Sequence, residues 1–188
     1  MINILIDKLP TEIDGFKINS DFRTSILFEL LMQDNEFSNE EKIAQTLELY
    51  YPDIDKITDI EKAIENVLWF YKCGEEEKTS QKKQERNKQK QIYSYEFDDK
   101  YIYSAFREQY NINLNNIKYL HWWEFKALFN SLNEDVLFSK IMGYRAMDLS
   151  KIKDKNMKKQ YKKLKEIYAL PDMRTEEEKE NDFAEAFL

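Results

Sequence analysis

Histidine and cysteine, two residue types common in catalytic and zinc sites, each occur once in this sequence. His121 is the only histidine and Cys73 is the only cysteine. A reactive thiol needs an activating partner, and nothing in the sequence couples Cys73 to His121. One histidine and one cysteine also cannot form any of the usual zinc sites. We interpret both residues as structural, with a proton-transfer role for His121 as the alternative.

Common motifs of enzymes are missing from the sequence. It contains no phosphate-binding glycine loop, no dinucleotide-binding fingerprint, no nucleophile elbow and no calcium-binding loop with ordered acidic spacing. We therefore predict a protein that is not an enzyme and that needs no cofactor and no metal. An enzyme built on a cleft of carboxylates is the alternative, since sequence does not reveal such a cleft.

The aromatic stretch "LHWWEFKALFNSL", residues 120–132, contains two of the three tryptophans. On a helix, Trp122, Phe125 and Phe129 fall on one stripe, and Trp123 falls on a second stripe roughly opposite. A helix that is apolar on two sides is either central to its unit or has one face for a partner. The centre of the C-terminal unit is the favoured interpretation. The candidate partner-binding residues are Trp122, Trp123, Phe125, Phe129, Tyr144, Arg145, Phe183 and Phe187. Arg145 either stacks on Tyr144 or a tryptophan or is an ordinary arginine of a last helical turn.

Composition indicates a helical protein. The 188 residues are 42% apolar and 35% charged, with only three glycines and three prolines. We predict a mainly α fold, a bundle of about seven to eight helices with a small N-terminal β-hairpin. No apolar run is long enough to span a bilayer, and a single cysteine is typical of a cytosolic protein.

Turn and cap signals position these elements. The runs "INILID" and "EIDGFKIN" predict paired strands, with Asp14 and Gly15 at a turn. Helix starts are predicted at Ser20 or Asp21, at Ser38, at Thr58 or Asp59 with a capping box from Thr58 to Glu61, and at Asp98 or Asp99. Gly74 and Asn111 are predicted to end helices. Predicted apolar stripes are Phe22, Ile26, Leu27, Leu30 and Leu31 in the first helix, and Ile60, Ile64, Val67, Leu68 and Tyr71 in the third. Gly143 within a helix predicts the close approach of a neighbouring helix.

The chain divides by composition into four parts. Residues 1–74 form a hairpin and helical unit, residues 75–91 a charged linker without large apolar side chains, residues 92–171 a second helical unit, and residues 172–188 an acidic amphipathic tail. The tail either folds back onto the lysine-rich helix before it or docks into a partner groove.

The net charge of the whole chain is −7, but residues 151–165, a predicted helix, are strongly basic. Clustered lysines attract nucleic-acid phosphates, so a nucleic-acid-binding or regulatory module is the alternative function. Its candidate residues are Lys158, Lys159, Lys162 and Lys163. An acidic isoelectric point near 5.0 makes nucleic acid the less favoured partner.

Five stretches of the sequence resemble a known family. They are "LIDKLPTEIDGFKINSDFR", "YSYEFDDKYIYSAFREQYNINL", "YLHWWEFKALFNSL", "KIMGYRAMDLSKI" and "KLKEIYALPD". The combination of the HWW and GYR elements is more specific than any single helix pattern. By these stretches the chain resembles the phage protein family called gene product fifteen, found in tailed phages and prophages of Gram-positive bacteria.

The resemblance implies a role in tail morphogenesis. The family is similar in gene position to tail assembly chaperones, whose genes lie just before that of the tape-measure protein. We therefore expect a chaperone-like factor in the cytoplasm of the bacterial host that binds the tape-measure protein or another tail protein. The sequence does not decide whether the protein forms a homo-oligomer. The resemblance implies no catalytic residues.

Overall fold

The computed structural model describes residues 2–75 and 91–172, and this part of the chain is mainly helical. A hairpin of β1 (Glu12–Ile13) and β2 (Phe16–Lys17) precedes seven α-helices in the described residues. These are α1 (Phe22–Gln33), α2 (Asn39–Tyr50), α3 (Ile60–Tyr71), α4 (Asp99–Tyr110), α5 (Trp122–Asn130), α6 (Leu137–Ala146) and α7 (Lys155–Ile167). Short 3₁₀ helices cover Ile54–Lys56 and Leu149–Lys151. The predicted fold class is confirmed.

The hairpin turns at the predicted dipeptide. Asp14 has φ 51° and Gly15 has φ 82°, and two positive φ angles in a two-residue loop match the twist of the flanking strands. Ile13 pairs with Phe16 in the antiparallel register. The prediction of a strand in "INILID" is wrong, since residues 4–6 form a turn.

Side-chain caps begin the first three helices. The carboxylate of Asp21 caps α1, and Ser38 and Glu41 form a complete capping box at the start of α2. Asp59 caps α3 through its side chain, so the expected capping box at Thr58 is wrong. A carboxylate at this position also interacts favourably with the positive end of the helix.

Residues with positive φ end two helices as predicted. Asn111 closes α4 at φ 55°, and Gly74, at φ 73°, donates its N–H to the carbonyl of Trp69 at 3.0 Å after α3. Gly143 is different. A Cβ placed there would meet no neighbouring atom within 4 Å, so the prediction of a close helix approach is wrong.

Residues 2–75 and 91–172 contribute to one hydrophobic core. The main contact between these two parts of the chain is the packing of α1 against α5. The N–H of Phe22 donates to Leu120 at 2.9 Å, and the N–H of Trp122 donates to Ser20, also at 2.9 Å. Two backbone hydrogen bonds between residues about a hundred positions apart hold these two helix starts together. The aromatic stretch therefore lies at the junction of the two parts of the chain.

Candidate partner-binding surface

The two adjacent tryptophans of α5 are buried against the C-terminal end of α3 and form hydrogen bonds with its last carbonyls. Trp122 is 0% exposed and Trp123 is 5% exposed. Their indole N–H groups donate to the carbonyls of Tyr71 and Phe70, both at 2.8 Å. These carbonyls belong to the last turn of α3, where a helix leaves carbonyl groups without intrahelical partners, although the Phe70 carbonyl also accepts the N–H of Cys73 at 3.0 Å. Both tryptophans thus fill the core and satisfy buried backbone at once.

Phe125 and Phe129 also belong to the core. Phe125 is 0% exposed and stacks between Phe22, with ring centroids 4.9 Å apart, and Phe106, at 5.0 Å. Phe129 is 5% exposed and packs edge-on against Phe138. The partner-surface hypothesis is therefore corrected for Trp122, Trp123, Phe125 and Phe129, because no partner reaches these rings while the protein is folded.

His121 joins two segments through its two ring nitrogens. Its Nδ1 accepts the N–H of Trp123 at 3.1 Å and so caps α5, while Nε2 lies 3.0 Å from the carbonyl oxygen of Pro10. Since a carbonyl oxygen only accepts, both bonds require the neutral ring with its proton on Nε2. Burial lowers the pKa of His121 below its usual value, which favours this neutral form. His121 is a structural residue of this fold.

A turn near the N-terminus presents apolar side chains to solvent. We call Ile4, Leu5 and Ile6 the N-terminal apolar turn. They are 45%, 90% and 81% exposed, and the last two are the most exposed large apolar side chains of the described residues. Three consecutive exposed apolar side chains are unusual for a soluble protein, in which single ones are common. This turn is the strongest candidate for a partner contact.

Hydrogen bonds hold the turn without using its apolar side chains. The N–H groups of Ile6 and Asp7 donate to the carbonyl of Asn3 at 3.0 and 2.8 Å. The N–H of Asn3 donates to the Asp7 carboxylate at 2.7 Å. Ile2 before the turn and Leu9 after it pack against the core. The apolar side chains are therefore presented on a fixed backbone, anchored further along by the contact between Pro10 and His121.

Arg145 is buried and forms an ion pair. It contacts both carboxylate oxygens of Asp98, at 2.6 and 2.9 Å, in a bidentate arrangement. It also donates to the carbonyls of Ile92 at 3.1 Å and Tyr168 at 2.5 Å. Both earlier interpretations of Arg145, ring stacking or an ordinary last-turn arginine, are wrong, because this network occupies the guanidinium. Arg145 ties α6 to the segment before α4 and to the end of α7.

Tyr144 belongs to a cluster of half-buried tyrosines. It lies 6.0 Å from Tyr168 and 6.3 Å from Tyr161, and Tyr101 lies 6.4 Å from Tyr168, measured between ring centroids. Helix α7 has no fully buried residue and packs on α6 through these rings. In the described residues, Tyr144 is the predicted partner residue that stays within reach of solvent.

The remaining predicted sites lie at the C-terminal end. The side chains of Lys158, Lys159, Lys162 and Lys163 are all exposed on α7. Phe183 and Phe187 lie outside the described residues. Because the four lysines are exposed, either a polyanion or an acidic peptide could reach and bind them.

Cys73 has little thiolate character. It is half-buried, and burial raises the pKa of its thiol to about 11. A thiol with this pKa is protonated at neutral pH and is a poor nucleophile. Within residues 2–75 and 91–172, no group of three or more histidine, cysteine, aspartate or glutamate side chains could hold a metal ion.

The comparison with protein families gives one decisive match. The family described as Bacteriophage Gp15 protein matches residues 5–170. The chain belongs to the bacteriophage Gp15 family. Comparisons with curated proteins and with solved structures give no match.

The Gp15 match extends over both parts of the described fold. It begins at Leu5, within the N-terminal apolar turn, and ends at Leu170, after α7. The junction of α1 with α5 and the Asp98–Arg145 pair both lie inside it. In the described part of this Gp15 family member, no helix is long and apolar enough to cross a membrane.

Sequence reasoning missed two features of this Gp15 family protein. The N-terminal apolar turn was interpreted as a strand, although Asn3 and Asp7 flank it and these residue types favour turns through side-chain bonds to backbone. Asp98 was treated only as a helix cap, although it is 1% exposed. A sequence gives no signal that a cap position and an arginine 47 residues later form a pair.

Proposed function

We propose that this phage protein acts in tail morphogenesis as a chaperone-like factor that binds the tape-measure protein in the cytoplasm of the bacterial host. Membership of the Gp15 family supports a phage role, and the gene position implied by the resemblance supports the choice of partner. The exposed N-terminal apolar turn carries the proposal in physical terms. The role is non-enzymatic and needs no cofactor.

The turn suits reversible binding of a helical partner. Burial of a Leu or Ile side chain contributes about 1.5–3 kcal/mol, so Leu5 and Ile6 together supply a useful binding free energy from a small area. The hydrogen-bonded backbone from Asn3 to Asp7 lowers the entropic cost of binding, because the turn is ordered before the partner arrives. Tyr144 in the tyrosine cluster offers a second contact of a residue type common in binding sites.

Co-expression with the tape-measure protein of the same phage tests this proposal. We expect stoichiometric co-purification and a monodisperse, soluble complex in light scattering, whereas the tape-measure protein alone aggregates. A protein that purifies without the tape-measure protein under these conditions would rule out the proposed role.

A nucleic-acid-binding role is the second candidate, supported by the four exposed lysines of α7. It predicts an affinity for DNA or RNA that decreases steeply with salt. Filter binding at low salt tests it directly. No retention of either nucleic acid would remove this candidate and leave the tail-assembly proposal unaffected.

A further inference from the structure

One face of α7 is covered with exposed lysines. Lys155, Lys158, Lys159, Lys162 and Lys163 follow a spacing of three or four residues, which places them on one side of a helix. All five are exposed. Within the described residues, Lys162 is the member of this set with an ionic partner, Glu166 at 3.8 Å. We call these five residues the lysine face.

The chain itself contains a segment of opposite charge that follows α7 in the sequence. Residues 173–188 contain six acidic and two basic residues, whereas α7 contains six lysines and one glutamate. If these residues were helical, Glu176, Glu180, Phe183 and Phe187 would share one side. That side would present carboxylates and apolar rings together.

The length of this segment, and the number of residues that connect it to α7, would allow it to fold back antiparallel to α7. A 13-residue helix such as α7 is about 20 Å long, and 16 residues in helical form would extend about 24 Å. Five residues, 168–172, separate the two, and two antiparallel helices are commonly joined by two to five residues. Pro171 in this connection disfavours a straight continuation of α7.

We propose that residues 173–188 dock in cis on the lysine face of α7, with carboxylates paired to lysines and the phenylalanine rings packed on the lysine stems. A short connection gives the attached segment an effective concentration in the millimolar range, which favours it over a second copy or a free acidic partner. The docked segment neutralises the lysine face and shields it from nucleic acid. This inference is independent of binding to the tape-measure protein.

Carbodiimide cross-linking of the full-length protein, which joins carboxylates to lysine amines in contact, tests the proposal by peptide mass spectrometry. We expect links from Glu176 or Glu180 to the lysine face in the monomer band, with a yield that does not change between low and high protein concentration. Lys17 and Lys118 are the controls, since both are exposed elsewhere, and we expect at least tenfold fewer links to them. High salt should reduce the links to α7, because it screens exposed charges.

A second variant separates docking from chance encounters. Changing Phe183→Ser and Phe187→Ser leaves every carboxylate in place, and we expect the yield of links to α7 to decrease at least fivefold. Links found in a dimer band alone would show docking in trans and overturn the proposal. Equal links to Lys17, Lys118 and the lysine face, or an unchanged yield in the double variant, would overturn it as well.

Discussion

His121 connects the start of α5 to the N-terminal segment through a neutral ring, and this makes stability dependent on pH. The unfolded chain binds a proton on this histidine near pH 6.5, whereas the folded protein binds it only at a lower pH, because burial lowers the pKa. Between these two pH values the unfolded state holds more protons. The free energy of unfolding should therefore decrease as the pH falls below about 6.5.

The variant His121→Asn tests this dependence. Asparagine is also a good N-cap, so the cap of α5 is retained while the titration and the bond to Pro10 are lost. We expect a loss of about 1 kcal/mol at pH 8 and a smaller difference from wild type at pH 5.5, measured by urea unfolding. A difference that stays constant with pH would contradict the role of the neutral ring.

Gly143 offers a stabilising substitution in α6. Nothing lies within 4 Å of a Cβ at this position, and alanine has a higher helix propensity than glycine by about 1 kcal/mol. We predict that Gly143→Ala raises the melting temperature by about 2–4 °C. Gly15→Ala is the matched control and should lower it, since Gly15 has φ 82°. A destabilised Gly143→Ala would show that α6 has a close neighbour after all.

The buried Asp98–Arg145 pair holds α4, α6 and the end of α7 together. Removing one partner of a buried pair leaves an uncompensated charge, at a cost of about 3–5 kcal/mol. We expect Arg145→Met alone to lose stability by this amount in urea unfolding. The double variant Asp98→Leu/Arg145→Met should recover part of the loss, because no charge is left unpaired, although the N–H of Ser94, which donates to Asp98 at 2.9 Å, then lacks its partner. If the double variant is as unstable as the sum of both single variants, the pair is not the main interaction of these residues.

Helix boundaries were predictable from sequence because they depend on local chemistry. Asp21, Ser38 and Asn111 act through their own side chains or φ angles within a few residues. The buried face was less predictable. Helix α1 is apolar on two sides, and the structure buries Phe28 against Tyr50 and Tyr71, at 5.6 and 5.0 Å, while Leu27 remains 51% exposed. Which face is covered depends on distant elements that a single helix pattern does not contain.

The aromatic stretch shows the same limit for the candidate site. Because this helix is apolar on two sides, each side was expected to pack against another surface. In the structure, other parts of the same protein bury both sides. Trp122 and Trp123 donate to carbonyls of α3 more than fifty residues earlier, a relation that spacing in sequence cannot show. The resemblance to the Gp15 family, in contrast, was visible from the HWW and GYR elements and is confirmed over residues 5–170.

For the whole molecule, one core predicts one cooperative unfolding transition. All three tryptophans lie near the junction, and Trp69 packs edge-on against Trp123 at 5.5 Å. Tryptophan fluorescence therefore reports on contacts between the two parts of the chain, while far-ultraviolet circular dichroism reports on all helices. We expect coincident urea transitions with both probes. A helix signal lost in two steps would contradict a shared core.

The most direct test of the proposed function is the affinity of the purified protein for a soluble fragment of the tape-measure protein, measured by calorimetry with a double variant of the N-terminal apolar turn. Leu5→Ser/Ile6→Ser removes two exposed side chains without disturbing the core. We predict an affinity weaker by roughly 30-fold or more, equivalent to about 2 kcal/mol. Ile60→Ser is the control, because Ile60 is 55% exposed on α3, and its affinity should stay within about twofold of wild type. Wild-type affinity in the double variant, or an equal loss in the control, would contradict binding through this turn.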